Sequence, residues 1–419
     1  MTSRSVAMQP LRTAPHVAGM TDITRYDETY EILRSNVFIQ MVEKENAYLR
    51  RDTLLHIDGR EHFNRRRLEA RLFSKDALKY YATHVLQPAI NRSLLDALNT
   101  GESVDLVKLM RRTLIEMAAA ISGITGIDSP EAAEALGAEV KLLVNATTVD
   151  HATDDHEEII RVAKEAQRRL VRDFYAESLA RCLEIKQALA GSSIRKEEVP
   201  RNLLMTLVLA DSPPIEPDLV LRETILYLGA AISTTSHSVP HVVNHLDAWV
   251  AEHPEDEQLR TDVGFLQRAT YESLRLHVPA PAIIRTASRD VTLDCTGRAI
   301  AEGERVALLT GPANRDQRIF GLTAETFDPY RKVTPPVKPW GLSFGGGQHS
   351  CIGRQLVVGT SQLVDELDAD ETIVPGIAPQ ILRSLYGAGI QIDQGLAPRY
   401  TTATFLDIFD LFPVRFGGA

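Results

Sequence analysis

The chain has 419 residues, of which 44% are hydrophobic and 24% are charged, as in an ordinary globular protein with one large core or two smaller ones. Its net charge of −10 gives no electrostatic support to nucleic-acid binding. The three cysteines, at 182, 295 and 351, are far apart, which argues against a disulfide framework or a paired-cysteine zinc site and favours a reducing cytoplasm.

The N-terminal residues predict a flexible polar tail at 1–15, followed by one folded domain at 16–419. Residues 1–20 hold no apolar run of the kind that a signal peptide or membrane anchor needs. We therefore expect a cytoplasmic protein without a membrane segment. The first predicted helix lies near 27–34.

A basic helix is predicted next, with Asp58 as its N-cap. His62 and Arg66 lie four residues apart and share one face of this helix. The apolar residues at helical spacing, expected to face inward, are Phe63, Leu68, Leu72 and Phe73. Residues 59–75 carry six basic and two acidic side chains, a local balance of +4.

Apolar spacing predicts helices from 104 to about 190, interrupted near Gly123, Gly126 and Pro130. The acidic run at 154–158 has metal-ligand residue types, but a solvated helix start is the favoured interpretation.

A long helix is predicted from 216 to about 250. Small residues around Ala230 in its middle would let a flat molecule pack closely. Its histidines at 237, 241 and 245 have formal metal spacing, but ordinary hydrogen-bonded or exposed histidines are the favoured interpretation. Pro240 lies among them and should free one backbone carbonyl and bend the helix.

A further helix, at 265–277, places Glu272 and Arg275 on one face, and an extended segment at 278–285 follows because its prolines disfavour helix. Short strands are predicted at 291–294 and 305–309. The Gly- and Pro-rich region 372–400 reads as loop, with no assigned element.

The most informative stretch is the glycine-rich loop at 344–353, which holds Cys351. A predicted helix at 354–367 follows at once, so the sulfur would lie near a helix N-terminus. Helix-start N–H groups lower a cysteine pKa, and glycines let the backbone approach whatever the sulfur binds. The loop therefore predicts a thiolate site for a flat cofactor.

The pattern Phe-x-x-Gly-x-His-x-Cys-x-Gly resembles the haem-ligand loop of the cytochrome P450 family. The resemblance implies a single, mainly α fold with a small β subdomain. It also implies haem b between the Thr234 helix and the helix after Cys351, with the cysteine thiolate pushing electron density toward O–O cleavage.

The same resemblance implies roles for further residues. Cys351 would be the axial ligand of the haem iron, and other cofactor contacts would come from Phe344, Gly347, Gly353 and Ala230. Anchors for the two haem propionates would be His62, Arg66, Arg285 and His349. A buried structural network would join Glu272, Arg275 and Arg331.

Thr234 stands where the family has its oxygen-side threonine, and a hydroxyl bonded to its own helix is the alternative. The acid that commonly precedes this threonine is Ser233 here, so protons would have to pass through hydroxyls and water or come from elsewhere. The substrate pocket would be apolar, lined by Ala231, Ile232, Val278, Ala280, Ile283 and Ile284.

The implied activity is insertion of one oxygen atom of O₂ into a small, moderately hydrophobic organic substrate, as in secondary metabolism. Electrons would come from NAD(P)H through a separate ferredoxin or flavodoxin system, docking on basic residues such as Arg65 and Arg71, and the protein would be a monomer. Two alternatives stay open: a peroxide-using or redox-neutral haem-thiolate enzyme, and a catalytically silent haem-thiolate protein that binds a ligand or a carrier protein.

Overall fold

The computed structural model describes residues 19–40, 47–210, 214–360 and 374–417. The predicted tail at 1–15 lies outside the described residues. Among the described helices, none combines the length and the apolar character that crossing a bilayer requires.

Helices make up most of the described chain. They are α1 (Tyr26–Arg34), α2 (Ala47–Arg50), α3 (Gly59–Glu69), α4 (Lys75–Tyr80), α5 (Gln87–Thr100), α6 (Leu106–Ser122), α7 (Pro130–Thr147), α8 (His156–Leu170), α9 (Ala176–Ala190), α10 (Leu203–Val208), α11 (Pro217–Glu252), α12 (Val263–Leu276), α13 (Thr310–Ala313), α14 (Gln317–Phe320), α15 (Arg354–Val358) and α16 (Ile377–Gly387). Single π-helical segments, Tyr81–Leu86 and Val171–Tyr175, join α4 to α5 and α8 to α9.

The strands are short. They are β1 (Thr21–Ile23), β2 (Phe38–Ile39), β3 (Val104–Asp105), β4 (Ala282–Ala287), β5 (Val291–Thr292), β6 (Ala299–Ile300), β7 (Arg305–Leu309), β8 (Gln391–Ile392), β9 (Arg399–Tyr400), β10 (Phe409–Leu411) and β11 (Pro413–Arg415). The largest sheet has the order β1-β7-β4-β2, with β1 parallel to β7 and the other pairs antiparallel. A three-stranded sheet has the order β3-β11-β8, and two pairs, β9 with β10 and β5 with β6, complete the set in the described residues.

The chain divides into two compact units. The first comprises 1–41, 90–110 and 234–419, and the second comprises 42–89 and 111–233. The main core of the first unit packs α1 against the four-stranded sheet, and its buried members include Ile32, Phe38 and Leu308. Leu342 belongs to the same core. The chain is therefore anchored in the core just before the glycine-rich loop begins.

Side-chain caps explain where several helices begin. Asp155 accepts hydrogen bonds from the N–H groups of Glu157 and Glu158, so the acidic run at 154–158 is a solvated helix start, as predicted. Asp262 caps α12 in the same way, at 2.6 Å from the N–H of Phe265.

The helix after the cysteine loop is shorter than predicted. It was expected at 354–367, but α15 ends at Val358 because Gly359 takes a left-handed conformation, with φ of 84°. Thr360 and Val374 are then joined by two hydrogen bonds, each of 3.0 Å. The N–H of Thr360 donates to the Val374 carbonyl, and the N–H of Val374 donates to the Thr360 hydroxyl. Residues 361–373 lie outside the described residues.

A helix that the sequence reading missed follows directly. The region 372–400 was read as loop, yet α16 occupies Ile377–Gly387 within it. The signal was present, since Ile377, Ile381 and Leu385 recur every four residues and all three are buried. Pro379 obscured it, although a proline is tolerated in the first turn of a helix.

Candidate functional site

The backbone of the cysteine loop is held tightly inside the first unit. The N–H of Cys351 donates to the carbonyl of Phe344 at 2.8 Å, which closes the loop. Gly347 has a φ of 61°, and a Cβ at this position would lie 2.2 Å from the carbonyl oxygen of Leu33 in α1. Because no side chain fits there, the glycine is required for the loop to sit on α1.

Aromatic residues fix the same loop from its other side. Phe344 meets Trp340 edge to face at 5.8 Å between ring centroids, and Trp340 meets Tyr271 of α12 at 5.2 Å. The guanidinium of Arg354 lies 5.2 Å from the Trp340 ring centroid, in a cation–π arrangement. The loop is thus packed against α12.

Cys351 differs from the other two cysteines in accessibility and surroundings. It is exposed, whereas Cys182 is buried and burial raises the pKa of its thiol to about 11. Cys295 is exposed too, but partial burial and hydrogen bonding to Glu31 raise its pKa to about 11. The environments of Cys182 and Cys295 therefore both disfavour a thiolate.

The predicted reason for a thiolate at Cys351 needs correction. α15 begins three residues after the cysteine and has only five residues, so its dipole is small. A bound metal ion deprotonates a coordinating thiol outright, and that effect does not depend on the helix.

The three predicted network residues meet in the first unit. Arg275 is fully buried and forms a forked pair with Glu272, at 2.6 and 2.8 Å. Arg331 reaches the same carboxylate at 2.8 Å. Two arginines therefore share one buried carboxylate, and Arg275 also donates to the carbonyls of Asn314 and Ala324.

Asn314 has a structural role that the sequence reading did not assign. Its amide nitrogen donates to the Arg275 carbonyl at 3.0 Å, and its oxygen accepts from the N–H of Leu342 at 2.7 Å. A Cβ on Gly341 would lie 2.2 Å from that oxygen. Asn314 thereby connects α12 to the segment that leads into the cysteine loop.

Arg285 and four of the expected pocket residues lie on β4 or in the segment before it. The Arg285 side chain is buried and donates to Gln40 and to the Ile284 carbonyl, each at 2.8 Å. Ile283 packs with the core of α1 and the sheet, whereas Ile284 packs with Ala307. Successive residues of a strand face opposite sides, so the prediction that both isoleucines line one pocket is wrong. The other two positions of this segment differ in exposure: Val278 is buried and Ala280 is exposed.

In the second unit, α3 carries the predicted pair His62 and Arg66. His62 is buried and Arg66 is half-buried. Asp58 stands at the N-cap, as predicted. Phe63 was expected to face inward, but 63% of it is exposed. It lies one residue from His62, about 100° around the helix, and so cannot share the buried face of that histidine.

Arg65 was expected on a docking surface, and this prediction is wrong. Its side chain is 9% exposed and pairs with Glu69 at 3.3 Å and with Glu223 at 2.6 Å. Burial, and then the charge of Glu69, raise the pKa of Glu223 to about 8. Tyr227 donates to Glu69 at 2.7 Å. Arg65 therefore serves a buried network in the second unit.

The middle of α11 presents one exposed face. Ala230 and Thr234, four residues apart, are exposed, and Ala231 and Ser233 are half-buried. Ile232 is only 6% exposed. It therefore does not lie on the exposed face, where a pocket-wall residue of this helix would be expected. The helix continues through Pro240 without a break.

A cluster of potential metal ligands lies farther along α11. His241, His277 and Asp407 offer ligand atoms within 4.8 Å of one another. The two imidazole rings, however, stack with an interplanar angle of 17°. A metal ion lies in the plane of each imidazole that binds it, and nearly parallel stacked rings cannot both meet that condition. The cluster therefore holds histidines paired by hydrogen bonds, as predicted for this stripe.

The donor set of the loop fits a flat iron cofactor. An exposed thiol projects from a glycine-rich backbone, and its neighbour His349 ends the single 3₁₀ turn Gly347–His349 before it. Gly353, between the cysteine and α15, adds no side chain. An exposed cysteine next to glycine backbone is a donor set that a planar iron cofactor can use.

Comparisons with known proteins agree on one family. The model of the family described as Cytochrome P450 matches residues 20–358. Cytochrome P450 126 from Mycobacterium tuberculosis is 36% identical over 160 residues, which are 36% of each chain. Linalool 8-monooxygenase from Pseudomonas putida is 28% identical over 278 residues, 66% of this chain and 60% of that protein. The chain thus covers less than two thirds of the length of these relatives.

Among solved structures, P450BioI in complex with acyl carrier protein ligated to hexadec-9Z-enoic acid is similar. Its TM-score is 0.68 at 22% sequence identity, and the match covers 94% of this chain and 91% of that chain. At this identity the likeness concerns the fold alone. It confirms the predicted, mainly α fold with small β-sheets.

Proposed function

Because the chain belongs to the cytochrome P450 family, we propose that it is a haem-thiolate monooxygenase that inserts one oxygen atom of O₂ into a small, moderately hydrophobic organic substrate. Electrons come from NAD(P)H through a separate ferredoxin or flavodoxin system. The observation that carries the proposal is the exposed Cys351 thiol on its glycine loop, inside the matched range 20–358.

The cofactor of this family is haem bound through a cysteine thiolate. In this chain Cys351 would hold the iron, and the residues packed around the ring would be Phe344, Gly347, Gly353 and Ala230. The side chains that would hold the two propionates are His62, Arg66, Arg285 and His349. A chain with a net charge of −10 needs such cations and donors to bind a dianionic group.

Haem bound through a thiolate supplies the oxygen-activating chemistry. Thr234 is exposed on α11, and its hydroxyl would hold a water molecule and pass on a proton. Ser233, the residue before it, is half-buried. Its hydroxyl cannot ionise as the side chain of an acid would. Protons would therefore have to pass through hydroxyl groups and water, or come from elsewhere, where an acid would otherwise serve.

The substrate would meet an apolar surface that includes Ala231, Val278 and Ala280, with one of Ile283 and Ile284 facing it. Of these residues, Ala280 is exposed, Ala231 is half-buried and Val278 is buried. The name of the Pseudomonas relative, which states that it acts on linalool, supports a small organic molecule as the class of substrate.

The test compares turnover of the holoprotein with electrons from NADH and turnover with hydrogen peroxide. Candidate substrates, with linalool as the first, are screened optically for displacement of the iron-bound water and then incubated with NADH, a ferredoxin and its reductase. We expect oxygen uptake matched by an oxygenated product. Turnover with hydrogen peroxide alone would favour the peroxide-using alternative. Binding without turnover under either condition would favour the silent ligand or carrier-protein binder.

A further inference from the structure

A groove of about 490 Å³ lies wholly within the second unit. It is bounded by α2, α8, the π-helical segment after α8 and the first turns of α11. The lining residues are Tyr48, Lys164, Gln167, Arg168, Val171, Arg172 and Leu221. A groove of this volume is in the range of small-molecule sites.

Three cations follow one side of the groove. Lys164, Arg168 and Arg172 are four residues apart and therefore share one face of the helix. Arg172 forms a forked pair with Asp173, at 2.6 Å for both bonds. In the part of the chain that the structure describes, no ion pair involves Lys164 or Arg168.

The carboxylates nearby are already engaged by other arginines. Glu158 and Glu165 both bond Arg161, each at 2.7 Å. Glu139 bonds Arg169, also at 2.7 Å. Among the described residues, two positive charges beside the groove are therefore left without a carboxylate, although the whole chain is acidic.

The ring of Tyr48 completes the lining of the groove. Its hydroxyl is shielded from solvent, so an atom that occupies the groove does not reach it. The Lys164 ammonium lies 5.5 Å from the Tyr48 ring centroid, in a cation–π arrangement.

We propose that this groove is a second binding site, which takes a phosphate monoester with a short apolar chain. Lys164 and Arg168 match the charge of a phosphate monoester, about −1.5 to −2 at pH 7. The Gln167 amide donates to its oxygens, and the Tyr48 ring, Val171 and Leu221 supply an apolar wall for the chain. The inference does not rest on the haem chemistry, since none of the groove residues is among those assigned to haem or to the oxygenated substrate.

Calorimetric titration of the holoprotein tests the site, with 4-phenylimidazole present to occupy the haem iron. Four probes with matched parts are octyl phosphate, octanoate, 1-octanol and inorganic phosphate. We expect one site for octyl phosphate, weaker binding of octanoate and inorganic phosphate, and no binding of the neutral alcohol. Equal affinity for octyl phosphate and 1-octanol would overturn the anion site. Equal affinity for octyl phosphate and inorganic phosphate would overturn the apolar wall.

Variants connect the binding to the named residues. The double variant Lys164→Gln with Arg168→Gln should weaken octyl phosphate binding by about ten-fold or more. Arg161→Gln is the matched control, because it removes a cation of the same helix that already has partners. Circular dichroism and the carbon monoxide spectrum verify that each variant is folded. Unchanged affinity in the folded double variant would refute the proposal.

Discussion

The imidazole rings of His241 and His277 stack in the first unit, with their centroids 3.8 Å apart. Nε2 of His241 donates to the backbone carbonyl of Asp407 at 2.8 Å, and Nδ1 of His277 bonds the Asp407 carboxylate. Burial, and then the nearby His277, lower the pKa of His241 to about 3. Three segments distant in sequence are thus joined through a buried histidine that stays neutral.

We expect this cluster to make the fold sensitive to acid. An unfolded chain takes up a proton on His241 below about pH 6.5, whereas the folded chain does so only near pH 3. Its contribution to stability is therefore complete above about pH 6.5 and is lost as the pH falls toward 3, by up to about 1.4 kcal/mol per pH unit. His245, whose pKa burial lowers well below the usual value, adds to the loss.

His241→Gln should flatten the dependence of the unfolding free energy on pH between about 6 and 4. Urea unfolding at several pH values measures it. His237, His277 and Asp407 are the charged or titratable neighbours that act on His241. The same slope in variant and wild type would assign the acid sensitivity to another group.

The network around Glu272 should respond strongly to loss of one partner. Arg275→Met removes a fully buried guanidinium and leaves the carboxylate under-compensated, at an expected cost of about 3–5 kcal/mol in unfolding free energy. Arg161→Met, in an exposed ion pair, is the control and should show no measurable change. Unfolding curves for Arg275→Met that match wild type would contradict the network.

Cys351 should be the single source of the thiolate spectrum. The reduced protein with carbon monoxide is expected to absorb at the long wavelength typical of thiolate-bound haem, and Cys351→Ala should lose this band. Cys295→Ala removes another exposed cysteine and should retain it. A band that survives Cys351→Ala would move the ligand assignment to another residue.

Thr234 should control how efficiently electrons reach product. Thr234→Ala is expected to raise the share of NADH electrons lost as hydrogen peroxide, because the hydroxyl that holds water is absent, and Thr234→Ser should restore coupling. Ser233→Asp should change the pH dependence of turnover by adding an ionisable group. Coupling that is unaffected in Thr234→Ala would remove this residue from the mechanism.

The electron-donor surface must be tested at exposed residues of the basic segment. Arg67 and Arg71 are exposed, so reversing both to Glu should slow reduction by an acidic ferredoxin at low salt. The effect should fade near 0.15 M ionic strength, where the Debye length is about 8 Å. Reversing Arg161 and Arg181, outside the segment, gives the same charge change as a control. Equal rates for both double variants would leave this segment a merely solvated basic face.

Local patterns in the sequence predicted which residues come together in the cysteine loop and in α12. Cys351 and its glycines are adjacent in sequence, and Glu272 and Arg275 share one turn of α12, so spacing alone brings them together. Arg331 joins them from 59 residues away. It was predicted only because a family pattern supplied the pairing.

Distant partners account for what the sequence reading missed. The local sequence around Arg65 is that of a surface residue. Its charge is neutralised by Glu223, which lies 158 positions later and which no local pattern connects to it. Asp407 meets His277 across 130 positions, and no local spacing encodes that contact. The end of α15 at Gly359 was also missed, since a glycine in an apolar run costs a helix only about 1 kcal/mol and does not by itself require a stop.

The two hydrogen bonds between Thr360 and Val374 hold the residues just after α15 next to the residues just before α16. Gly376 secures this neck, because a Cβ there would lie 2.1 Å from the Val357 carbonyl. A side chain at Gly376 would therefore push the start of α16 away from the end of α15, although the residue belongs to neither helix.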